Sequence, residues 1–136
     1  MKIKAKNNGS VFLIVVFAIV LMATITVGIL QMTTEELQLM QNQLYAAQAF
    51  EVAEAGLNDA FAQIRGNPSW SAGFSNKSLP SYGTYTVDVN SASMTITSTG
   101  TSTQGYIARI RAGITVGISP VPGAYVIRID SLRINE

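Results

Sequence analysis

Hydrophobic positions along the chain change their rhythm twice. From Val11 to Leu30 apolar residues run almost without a break, and no charged residue occurs between Lys6 and Glu35. About 20 such residues in a helix match the ~30 Å hydrocarbon core of a bilayer, so this block predicts a membrane-spanning helix. From Met32 to Arg65 the rhythm becomes a stripe: Leu37, Met40, Leu44, Ala47, Phe50, Ala53, Leu57, Phe61 and Ile64 recur every three or four residues. That spacing is one face of an amphipathic helix. Arg65-Gly66-Asn67-Pro68 reads as its stop signal. Beyond Ser81 the period drops to two. Tyr85, Val87 and Val89 alternate with Thr84, Thr86 and Asp88, and Met94 and Ile96 with Thr95 and Thr97. Tyr106, Ala108, Ile110, Ala112 and Ile114 then share one face, with Arg109 and Arg111 on the other. Ala124 to Asp130 alternates again, after Pro120 and Pro122, and the phase slips at Ser131.

Four short strands predict an antiparallel meander with one apolar face. Asn90-Ser91-Ala92-Ser93 is a hairpin turn in this reading. Gly66–Ser81 and Ser98–Gly105 are loops, with Trp70 and Phe74 folded back onto the core. The helix stripe at Phe50, Leu57, Phe61 and Ile64 is the available cover for the apolar face. The expected fold is therefore α+β: a long N-terminal transmembrane and amphipathic helix packed on a small antiparallel sheet. Ser10–Arg65 as one helix would be about 84 Å long at 1.5 Å per residue. Its weakest stretch is Ala23–Ile29, rich in β-branched residues and containing Gly28. Thr33 to Glu36 fits a capping box, so Thr33 would cap the second helix if that stretch loosened.

Composition sharpens the picture by exclusion. The 136 residues are 48% hydrophobic and 12% charged, with net charge +1, no Cys and no His. Disulfides, thiolate–metal sites and a cysteine nucleophile are excluded, as is the commonest general base. The carboxylates after residue 66, Asp88, Asp130 and Glu136, have no spacing that argues for acid–base work, and no phosphate loop or nucleophile motif occurs. No catalytic residue, cofactor or metal is expected. Tyr82, Tyr85, Tyr106 and Tyr125 read as structural strand residues or as a stacking surface. Arg109, Arg111, Arg128 and Arg133 could form a stripe touching phosphate or could simply face solvent, some pairing with Asp88 or Asp130. Nucleic acid is not an expected partner, because the stripe is small and mixed with acids.

Charge is segregated along the chain. Lys2, Lys4 and Lys6 precede the apolar block, which places the N-terminus in the cytoplasm by the positive-inside rule. Glu35, Glu36, Glu51, Glu54 and Asp59 have no basic partner between Asn7 and Ile64. They form either a solvated helix face or one met by basic residues of neighbouring chains. Ala46, Ala47, Ala49, Ala53, Ala55 and Gly56 suit close helix approach, or serve helix propensity alone. The apolar block is too long for an ordinary cleaved signal peptide, and no Ala-x-Ala follows it. A cut ahead of the block, at Gly9-Ser10, would keep it as an anchor.

Lys6-Asn7-Asn8-Gly9, Ser10, the apolar block, the amphipathic helix and the small sheet together resemble type IV pilin-like proteins. Within them the chain looks like the PilX-type minor pilins, through Thr33-Thr34-Glu35-Glu36 and Ala49-Phe50-Glu51-Val52-Ala53-Glu54-Ala55-Gly56-Leu57. The resemblance covers about residues 4–65. It implies a leader at 1–9, a transmembrane segment at 10–31, an amphipathic helix at 32–65 and a β head at 66–136. It further implies cleavage after Gly9 by a prepilin peptidase, a single-pass wait in the inner membrane, and extrusion into an extracellular filament by the membrane assembly machinery. Phe50, Ala53, Gly56 and Leu57 would pack helices in that filament against other pilin subunits. Most major pilins carry Glu at the fifth position after the cut; here it is Ile14, which fits a minor subunit that primes or caps assembly. A secretion-system pseudopilin and a single-pass anchored binding protein outside any filament are the alternative expectations.

Overall fold

The computed structural model describes residues 8–118, 123 and 125–135. Lys2, Lys4 and Lys6, the prolines at 120 and 122, Ala124 and Glu136, each part of an expectation above, lie outside the described residues.

One helix, α1, runs from Asn8 to Gly66. The expected weak stretch is unbroken. Its threonines answer their own hydroxyls: Thr24 donates to the Val20 carbonyl at 2.5 Å, Thr26 to Met22 at 2.8 Å, Thr33 to Ile29 at 2.9 Å and Thr34 to Leu30 at 2.8 Å. In hydrocarbon a hydroxyl satisfied within its own helix carries no unmet polar demand. The capping-box expectation is corrected by the same geometry. Thr33 lies mid-helix, its hydroxyl turned back one turn, so it caps nothing. Helix formation ends as the residues predicted: Arg65 stands in the last turn and the Asn67 amide reaches the Gln63 carbonyl at 2.9 Å, just before Pro68.

The chain forms two compact units, residues 1–41 and 42–136. In the first, α1 is long and apolar enough to cross a membrane, and none of its apolar window is buried. Val11, Phe12, Leu13, Ile14 and their successors to Leu30 are exposed all round the helix.

In the second unit, α1 from Asn42 onward packs on a sheet of five antiparallel strands in sequential order: β1 (Phe74–Leu79), β2 (Gly83–Asn90), β3 (Thr95–Ser102), β4 (Ile107–Ile118) and β5 (Tyr125–Ile134). This is the expected α+β layout with one strand more than expected. β1 falls inside the stretch expected as a loop, and β3 runs on to Ser102 where a loop was expected from Ser98. Met94 belongs to the β2–β3 turn, not to a strand, and takes a left-handed φ of 48°. The turn itself is held by Asn90, whose side-chain oxygen accepts from the amides of Ala92 and Ser93, each at 3.1 Å. The phase slip at Ser131 is a bulge: Gly113 pairs with Ser131 and Ile114 with Ile129, leaving Asp130 as the extra residue.

The core lies between α1 and the inner sheet face. Val52, Ala53, Leu57, Ala60 and Ile64 meet Tyr85 and Val87 of β2, Ile96 of β3, and Ile110, Ala112 and Ile114 of β4. Trp70 and Phe74 are half-buried against it, as expected, with ring centroids 5.1 Å apart. β5 is covered only near its start, where Ile127, opposite Val116, packs against the core. Its later inner-face residues Ile129, Leu132 and Ile134 are 49%, 54% and 50% exposed.

Candidate functional site

The buried face of α1 is built mainly from small side chains: Ala49, Val52, Ala53, Gly56, Leu57 and Ala60. A methyl group added to Gly56 would stand 2.5 Å from the Ser98 hydroxyl and 2.8 Å from the Tyr85 ring. One added to Gly100 of β3 would collide with the backbone of α1 at Ala49 and Ala53. Helix and sheet therefore touch nearly backbone to backbone. Ser98, fully buried opposite this seam, donates its hydroxyl to the Ala53 carbonyl at 2.6 Å. A buried hydroxyl would cost free energy if unpaired, so this bond fixes where along the helix the sheet can sit.

The small residues of α1 thus have an occupant that neither sequence reading named: the chain's own sheet. Of the residues expected to pack helices together, Ala53, Gly56 and Leu57 are buried in this seam, and Phe50 is half-buried at its flank beside the core. Phe61 also sits at the flank. Both rings are too large for the close centre of the contact. The earlier part of the expected stripe, Leu37, Met40 and Leu44, is exposed.

A polar group closes the other side of the seam. Asp59 accepts from the Tyr85 hydroxyl at 2.7 Å and from the Lys77 ammonium at 2.5 Å, and Lys77 also lies 4.6 Å from the centre of the Phe74 ring. These bonds, that from Lys77 first, hold the Asp59 carboxyl below its usual range and raise the Lys77 ammonium. Burial first, then the bond to Asp59, pushes the Tyr85 phenol up. Asp59 thus does have a basic partner, reached from β1. The sequence hid it because Lys77 lies eighteen positions further on, beyond a loop. Chemically the trio ties helix, β1 and β2 together: each donor is matched to the one carboxylate.

Around this unit, the tyrosines serve mainly as ties. The Tyr106 hydroxyl donates to Asn42 at 2.5 Å, with its ring 5.7 Å from that of Tyr45. The outer sheet face is rich in Thr and Arg. Arg111 pairs in register with Arg133 on one side and Thr97 on the other, and Arg128 ion-pairs with Asp130 at 2.7 Å. Thr115 and Arg128, in that order, hold the Asp130 carboxyl below its usual range. A cavity of about 280 Å³ opens beside Ile64, Trp70, Met94 and Val116, with walls of mixed character. Among the described residues, no three acidic, Cys or His side chains converge as metal ligands.

Gly9 and Ser10, the expected cleavage position, lie in the first turn of α1 and are exposed. Phe17, Ile19, Val20 and Leu21 continue as bare helix surface beyond them. The chain matches no protein-family model, no curated protein and no solved structure.

Proposed function

We propose that this chain is a non-enzymatic structural subunit of a type IV pilus-like filament, a minor pilin of the PilX type that primes or caps assembly. The observation that carries the reading is one helix with two kinds of surface. Its first part is bare and apolar on every side, while its later part is seated on a small sheet along one face. A helix apolar all round needs either lipid or other apolar helices around it. A subunit that passes from membrane to filament exchanges one for the other without refolding its head. The resemblance at Lys6–Ser10 and at Ala49–Leu57 supports the same reading, with the inner membrane as the first location and the filament as the second. Intact-mass measurement in cells with and without prepilin peptidase tests it. The expected result is a mature chain beginning at Ser10 only when the peptidase is present. A chain that still begins at Met1 in both would leave an anchored binding protein instead.

Rank in the filament follows from Ile14, which offers no carboxylate to a neighbour's N-terminal amine. An ammonium left unpaired in a dry helix bundle is costly, and a homopolymer would repeat that cost at every subunit. A low-copy subunit at one end meets it once or not at all. Quantitative mass spectrometry of sheared filaments should find this chain as a small fraction of a pilus built mainly of another subunit. Dominance of this chain would overturn the rank.

A further inference from the structure

The cavity of about 280 Å³ lies between the Gly66 end of α1 and the β2–β3 turn. Its floor is aliphatic: Ile64, Ile96 and Ile114 are 2%, 0% and 6% exposed. Its rim is polar, with Ser69, Asn90 and Ser91 exposed, and none of its described lining residues is charged. An apolar floor inside a polar rim is the layout of a pocket that takes one large side chain of a protein partner. A sugar would instead bring hydroxyls onto a floor that cannot bond them. An apolar cavity of about 150 Å³ already accepts a benzene ring, so this one has room for an aromatic side chain.

Two residues prepare the site. The Trp70 ring leans on Phe74, with centroids 5.1 Å apart, and the Trp70 amide donates to the Asn67 carbonyl at 3.0 Å, so this wall is held in place. Met94, 40% exposed, is the last of the four turn residues between Asn90 and Thr95 and takes a φ of 48°. The other described residues with a left-handed φ, glycines aside, are Asn76, Ser81 and Asn135, all with short polar side chains. Gly or Asn suits such a position. A long apolar side chain there is kept against backbone preference, and strain of this kind clusters at binding sites. The Ile114 amide donates to the Met94 carbonyl at 2.9 Å, which pins the strained residue to β4. The cavity is thus lined by an indole and a thioether, both good partners for an aromatic ring.

We propose that this cavity is an anchor site for one uncharged aromatic side chain of a partner protein, with Trp70 and Met94 as walls and the rim bonding the partner's main chain. The Asn90 carboxamide, whose oxygen accepts from the Ala92 and Ser93 amides, presents its NH2 group to a carbonyl of that main chain. The site goes beyond the filament reading and stands whether or not the chain is processed. Trp70 is the only tryptophan of the chain, so its emission reports on the cavity alone. The full chain in detergent is to be titrated with N-acetyl-L-phenylalaninamide, its D enantiomer, N-acetyl-L-alaninamide and methyl glucoside, each up to about 20 mM, a range that reads millimolar affinity. Enantiomers partition alike into detergent, so a difference between them is binding. Saturation-transfer NMR reads each ligand independently of the tryptophan. The L-phenylalanine compound should bind, its D enantiomer about fivefold more weakly, and the other two not at all. Met94→Gly should raise the melting midpoint by up to about 4 °C while weakening that binding about threefold. Equal binding of the enantiomers would give the cavity to a free aromatic molecule, and binding of the glucoside alone to a glycan; either overturns the proposal. So would silence in both readouts, or a Met94→Gly chain that melts lower or binds as before.

Discussion

The two units of the chain share one helix and use it in opposite ways. Up to Leu30 its surface is large, aliphatic and exposed on all sides. From Ala49 it turns a narrow face of Ala, Gly and Val to a sheet and shows Glu to water. In the first region length and bulk matter and the facing direction does not, because lipid is isotropic around the helix. In the second, facing direction is everything, because the partner is a fixed surface at near backbone contact. Hydrophobicity alone therefore misjudges this helix: its most tightly buried residues are among its smallest.

This difference is broken most severely at Leu57, 5% exposed in the core. Leu57→Asp should destabilise the second unit by about 4 kcal/mol, since a carboxylate would enter an apolar contact. Thermal melting of the full chain in detergent reads this, and an unchanged midpoint would place Leu57 outside the core. The counterpart in the first region is Ile19→Arg. It should oppose insertion by about 3 kcal/mol near the helix centre, seen as release from membranes by alkaline extraction. The melting midpoint of the second unit should not move. A finer test puts one substitution in both regions. Gly100→Ala should cost about 2 kcal/mol by forcing α1 from the sheet. Gly28→Ala, where an added methyl meets nothing within 4 Å, should be neutral or stabilise the helix by up to about 1 kcal/mol.

The smallest expected effect lies at Asp59. Its carboxyl is depressed in the folded chain, so its contribution is complete above the unfolded value near 3.8 and is lost as pH falls through the lower folded value. Asp59→Asn should cost about 1 kcal/mol at neutral pH, the partners being partly exposed. It should also reduce the loss of stability below about pH 4. Melting the two proteins across pH 2 to 7 checks both signs, and parallel acid limbs would remove Asp59 from the fold's pH response.

Much of this architecture was legible because it is written in bulk apolar residues. The membrane-length block, the helix end at Arg65–Pro68, and the inner faces of β2 and β4 all follow from period and punctuation. β3 was readable only at its start. Its inner face continues as Ser98, Gly100 and Ser102, alternately buried yet silent on any hydropathy scale, because the helix lies too close for larger side chains. β1 was missed for another reason. Phe74–Leu79 is a polar edge strand with a register break and a left-handed Asn76, so only its ends are half-buried. In the helix the expected stripe holds Ala53, Leu57 and Ile64, which are core, but also Phe50 and Phe61, which lie at its flank, and it passes over Val52, Gly56 and Ala60, too small or too far out of phase to stand out. The Asp59–Lys77–Tyr85 tie joins three separate elements, and no local pattern encodes it.

The seat of Gly100 and the Ser98 bond also have a mechanical meaning. A pull along α1 reaches the sheet as shear across the seam. Sliding by one helical turn, about 5.4 Å, would part the Ser98 hydroxyl from the Ala53 carbonyl and move the Gly100 backbone off the small residues that admit it. Bulkier neighbours would then have to pass a gap sized for Ala. Axial load on this part of α1 is thus resisted by shape as well as by adhesion, and the sheet should stay seated on residues 49–60 of the helix while it acts.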